Sequence, residues 1–179
     1  MMTSSLVALV VAFGSPSDFA APSVFGGGGG LRFTGSPREK WDCGVCHVSE
    51  QPHTFTVVAT GRDLATQGYV PGERYELEVA TATPGKKNAF ALEFANRNGD
   101  PSGVVSMDPQ TPHLCTSLTP EPVDPVEVVE GRVAMTYACE VSKWRVVWTA
   151  PAQDEGVVTL YASLVEGNGE DGSRGDVAT

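Results

Sequence analysis

An all-β fold, a two-sheet antiparallel β-sandwich of about eight strands preceded by a motif-bearing loop, is what this chain of 179 residues predicts. Three observations lead there. Apolar residues recur at every second position in several short stretches. Gly, Pro and Asn turn signals separate those stretches. Beyond the N-terminal segment, no stretch keeps a helical period.

The first element is an apolar run, Ser5 to Gly14 (SLVALVVAFG), of the length of an export-signal core, with Ala20 and Ala21 as cleavage positions. No Lys or Arg precedes it, and Pro16 and Asp18 lengthen the stretch before the cleavage region. It is too short to span a bilayer, so residues 1–22 read as a removable signal and the mature chain as one without a transmembrane segment. Residues 23–52 read as a Gly-rich leader, with five consecutive glycines at Gly26 to Gly30, and a motif loop. The sandwich is assigned to residues 53–179.

Within it, Tyr75, Leu77 and Val79 alternate with Arg74, Glu76 and Glu78. Phe90, Leu92 and Phe94 alternate with Ala91 and Glu93, and Trp144, Val146 and Trp148 with Arg145 and Val147. These are half-buried strands. Further strands are expected over Thr54 to Thr60, Gly103 to Met107, Val126 to Glu130, Arg132 to Ala138 and Gly156 to Val165. Pro71-Gly72, Pro84-Gly85, Asn98-Gly99, Glu130-Gly131 and Pro151 to Gly156 make the turns. Trp144 and Trp148 are assigned to the core, together with Leu160, Ala162 and Leu164, rather than to a ligand platform.

The loop ahead of the strands carries the chemistry. Cys43, Gly44, Val45, Cys46 and His47 form a Cys-x-x-Cys-His run, the pattern of covalent haem c attachment. Two thiols at this spacing add to the two vinyl groups on one haem edge, and the next residue, His47, becomes the proximal iron ligand. A Cys43–Cys46 disulfide, a redox dithiol and half of a zinc site are the alternatives. A redox dithiol should open a helix after a strand, which this sequence does not offer. Zinc would need two more ligands, and His53 and His113 are the other histidines. In an exported chain Cys115 and Cys139 are expected to form a disulfide, the alternative being two free buried thiols.

A net charge of -10 and a pI near 4.6 argue against nucleic-acid and anionic-lipid partners. No Ser-His-Asp set, phosphate loop or paired-carboxylate motif is present, so no enzymatic activity is expected.

Several ordered segments carry a family resemblance: TGSP at Thr34 to Pro37, CGVCH, YVPGERYELEV at Tyr69 to Val79, FALEF at Phe90 to Phe94, WRVVWTAPA at Trp144 to Ala152, and the terminal GNGEDGSRGD. With them the chain, from about Phe33 to Thr179, resembles bacterial secreted domains related to the Reeler domain, an immunoglobulin-like β-sandwich of extracellular proteins. The resemblance implies an exported, haem-bearing sandwich, often carried with a C-terminal surface anchor. This chain departs from the pattern in three places. Tyr137 stands where a His is common, Pro109 to Val129 is an enlarged loop that a Cys115–Cys139 bridge would pin, and the anchor is missing.

For the sixth iron position His113, His53, Met107 and Met135 are the candidates, and His113 is the one assigned as distal ligand. Asn168, Glu170, Asp171 and Asp176 could offer oxygens to calcium, but the spacing matches no EF-hand and a solvated acidic turn ranks above it. Together these readings describe an exported monohaem c-type cytochrome-like protein, extracytoplasmic, passing electrons to partner cytochromes or to copies of itself. The reading from another class is a secreted structural or adhesion sandwich in which Cys43 and Cys46 bridge and no haem is bound.

Overall fold

The computed structural model describes residues 7–10, 32–47, 55–82, 87–107, 126–129, 131–138, 141–168 and 176–178. His53, His113, Cys115 and Cys139 lie outside them, as do Gly26 to Gly30, Glu170 and Asp171.

The strands are β1 (Val7–Val10), β2 (Phe55–Ala59), β3 (Arg74–Thr81), β4 (Lys87–Asn96), β5 (Val104–Met107), β6 (Val126–Val129), β7 (Val133–Ala138), β8 (Lys143–Thr149), β9 (Val158–Gly167) and β10 (Val177–Ala178). A single helical turn, α1 (Leu64–Gln67), is capped by Asp63, whose carboxylate accepts from the N–H groups of Ala65 and Thr66. One sheet runs β1-β9-β4-β7-β6 with β10 also paired to β9, and the other runs β2-β3-β8-β5. All pairings are antiparallel except β1 on β9. The expected strands are thus found, with ends shifted by a few residues.

Alternation decides which way each strand faces. Phe90, Leu92 and Phe94 of β4 and Leu160, Ala162 and Leu164 of β9 meet Tyr75, Leu77 and Val79 of β3 and Trp144, Val146 and Trp148 of β8 in one core. Phe94 stacks on Trp148 at 4.1 Å between centroids, and Phe90 meets Trp144 edge-on at 5.3 Å. Both tryptophans are fully buried, as core residues should be.

The turn before β3 and the corner after β8 touch. The N–H of Gly72 donates to the carbonyl of Pro151, and that of Ala150 donates to Glu73. The Pro71-Gly72 turn and the Trp148-Thr149-Ala150-Pro151 corner therefore lock each other, which fixes the register of β3 against β8.

Of the segment expected to be an export signal, Val7–Val10 is the described part; it lies parallel along Val158 to Tyr161 of β9. Residues 32–47, the described part of the leader and motif loop, are docked on the outer face of the larger sheet. Thr34 and Ser36 among them are buried.

Candidate functional site

The outer face of β4 and β9 carries Glu93 and Ser163, residues that alternation would leave in water. Both are buried, at 1% and 2% exposure, because residues 32–47 cover them. This covering segment first makes a hairpin: Thr34 bridges Asp42, and the Gly35 N–H donates to the Trp41 carbonyl. Gly35 has φ +76°, the left-handed region where glycine is favoured. The Thr34 hydroxyl then donates to Glu93 at 2.6 Å, and Arg132 bridges Glu93 at 2.6 Å and Glu39 at 2.7 Å. One arginine thereby ties the leader's Glu39 to the sheet's Glu93, both charges being held away from water.

The hairpin delivers the Cys-x-x-Cys-His run onto β9. Asp42 caps a 3-10 turn over Cys43–Val45, accepting from the Gly44 N–H at 2.9 Å. Side-chain space is short at Gly44, where a Cβ would stand 3.0 Å from the Asp42 carboxylate. The His47 N–H returns to the Cys43 carbonyl at 3.1 Å, so the run closes on itself. Ser163 of β9 receives it: its hydroxyl donates to the Phe33 carbonyl and lies 3.0 Å from the Cys43 thiol.

The two thiols are unbridged and differ in setting. Cys46 is exposed, whereas Cys43 is partly buried against Ser163. Burial pushes the Cys43 thiol up to about 11 from 9.0; the Ser163 hydrogen bond opposes this and the Asp42 charge adds to it. The Cys43–Cys46 disulfide of the structural-module reading is therefore not formed here. Expected behaviour follows from the two settings. In haem-free protein iodoacetamide at about pH 8 labels Cys46 first and Cys43 only on unfolding, as peptide mass mapping would show. Because the folded state keeps the Cys43 proton, its contribution to stability is present below pH 9 and is lost between about pH 9 and 11, which urea midpoints across that range would register.

His47 is held from the far end of the chain. Its Nδ1 lies 2.9 Å from Oδ2 of Asp176, which is 6% exposed and whose Oδ1 accepts the Asn168 N–H at 2.9 Å. The pairing of β10 with Glu166 and Val165 of β9 places Asp176 there. Asn168 and Asp176, the described members of the calcium candidate group, are thus joined to each other, and Asp176 is engaged by His47. Neither Asp176 as a partner of His47 nor the cluster of Thr34, Glu39, Glu93 and Arg132 was expected. The paired charges of the covered face were readable only as solvated polar positions on a strand.

Met107 and Met135 fall on β5 and β7. Among the described residues, no group of three or more His, Cys, Asp or Glu side chains is gathered to hold a metal ion. An apolar cleft of about 270 Å³ opens between β2, α1 and the inner faces of β3, β4 and β9, lined by Val57, Leu64, Leu77, Phe94 and Leu160. It lies on the other side of the larger sheet from the motif. No described helix is long and apolar enough to cross a membrane.

No protein-family model and no curated protein sequence matches this chain. Solved structures do. The Reelin-N domain of F-spondin superposes with a TM-score of 0.51 at 18% identity, over 70% of this chain and 82% of that one. The human F-spondin reeler domain gives 0.49 at 18% identity, over 68% and 83%. The class defined by sheets and core is the two-sheet antiparallel β-sandwich. Within that class the fold is Reeler-like, and at this identity the likeness speaks for the fold alone.

Proposed function

We propose that this chain is an extracytoplasmic Reeler-like β-sandwich module whose Cys43–His47 segment attaches one haem c, and that it transfers single electrons at or outside the cell envelope. The observation that carries the haem part is the pose of His47. With Nδ1 engaged by Asp176, Nε2 is the ring nitrogen left to meet iron, and a proximal histidine needs this division of its two nitrogens. The donor set agrees: two unbridged thiols in the attachment spacing, followed directly by an imidazole.

Cys46 is already at the surface, while attachment at Cys43 requires its thiol to give up Ser163. Bound haem would supply a one-electron iron couple. The protein's own share is to hold the segment on a rigid sheet, through Asp42, Ser163 and Arg132, and to aim His47. A distal role for His113 and a bridge between Cys115 and Cys139 are part of the proposal; both rest on the sequence alone.

The second reading, a structural or adhesion module without haem, is favoured by the inward placement of Cys43 and by the Reeler-like fold, which says nothing about haem. Expression with c-type haem maturation separates the two. Covalent haem lost in Cys46→Ser supports attachment, and a colourless product with intact sandwich supports the module reading. Export with removal of residues 1–22 is expected as well, and the intact mass of secreted protein checks it. Loss of that segment also strips β1 from β9.

A further inference from the structure

We infer that Asp176 is the positioning residue of His47, fixing its ring tautomer so that Nε2 carries the free lone pair. This deepens the haem reading but stands on contacts that exist without haem. The Asp176 carboxylate is nine-tenths buried and both oxygens are engaged, Oδ1 by the Asn168 backbone N–H and Oδ2 by Nδ1 of His47. A carboxylate only accepts hydrogen bonds, so the neutral imidazole beside it must donate through Nδ1–H. Nε2 is then unprotonated, and the hydrogen bond makes it a stronger donor to a metal. The sequence distance is 129 residues, and the pairing of Val177 with Glu166 and of Ala178 with Val165 closes it. Asp176 thus acquires a role beside His47.

The isosteric Asp176→Asn tests this sharply because of Asn168. Its N–H still needs an acceptor and claims the new amide oxygen, which turns the NH₂ group toward His47. Facing a donor, Nδ1 becomes an acceptor and the proton moves to Nε2, the atom that should bind iron. In haem-free protein at about pH 8, ¹⁵N long-range correlation of the ring is expected to show Nδ1–H in wild type and Nε2–H in the variant. Thermal unfolding monitored alongside reports whether the variant keeps its fold. Asp176→Glu, which retains an acceptor-only group, should return the wild-type tautomer.

In protein carrying haem, loss of the carboxylate should favour ferrous iron by roughly tenfold at fixed ambient potential, about 59 mV for a one-electron couple. The same tautomer in wild type and Asp176→Asn overturns the inference, and an unchanged potential overturns its tuning part. A colourless protein whose tautomer still switches keeps Asp176 as the positioning residue and sinks the haem reading instead.

Discussion

Arg132→Met is expected to cost about 3–5 kcal/mol of folding stability and to release the segment that carries Cys43 and His47. The arginine is 6% exposed and pairs with Glu93, itself 1% exposed, and with Glu39 at 13%. Removing it leaves the Glu93 charge buried, with the Thr34 hydroxyl as its remaining described partner. A lone hydrogen bond does not offset the desolvation of a carboxylate. Urea unfolding measures the loss, and hydrogen exchange at Gly35 and Lys40, whose amides close the hairpin, reports whether the leader lifts first. The double variant Arg132→Met with Glu93→Leu should recover much of the loss, because it removes both charges instead of one. A single-variant cost under about 1 kcal/mol would mean that the leader is not clamped by this network.

Gly103→Ala should be comparably severe, about 3–5 kcal/mol, by a different route. Gly103 has φ +74° beside β5, and a Cβ there would stand 2.4 Å from the Thr149 carbonyl oxygen and 2.5 Å from Nε1 of Trp148. Neither neighbour has room to give. The first is backbone in a sheet, and the second donates to the Ser102 carbonyl at 2.9 Å while stacked on Phe94. The strained backbone and the overpacking therefore add. Gly61→Ala serves as the control: its φ of +78° brings the backbone strain, but nothing lies within 4 Å of the added methyl. Near-equal melting points for the two variants would contradict the packing argument, leaving the shared backbone conformation as the whole effect.

The strands were readable because each inward face is a local pattern of period two, dominated by aromatic and branched residues, and local patterns survive without knowledge of the partner. The cysteine and histidine run was readable for the same reason. The covered outer face was not. Glu93 in FALEF fits a strand with one wet side, and only the tertiary placement of Thr34, Glu39 and Arg132 buries it. Docking of residues 32–47 was missed because its contacts lie far off in sequence, although Gly35 makes a tight hairpin. Asp176 escaped for a related cause. An acidic tail residue gains meaning only when β10 returns it to β9, a distant contact that no window of sequence contains.

Whether Cys43, Cys46 and His47 hold the proposed covalent haem on the outer face of this sandwich is decided by the visible spectrum of protein made with c-type haem maturation, oxidised and then dithionite-reduced, beside Cys46→Ser. A Soret band that survives denaturation and weakens in the variant, with a reduced α-band, is the predicted result. A folded but colourless protein, in which both motif thiols alkylate once it is unfolded, would contradict it, leaving a β-sandwich whose docked leader serves structure or adhesion.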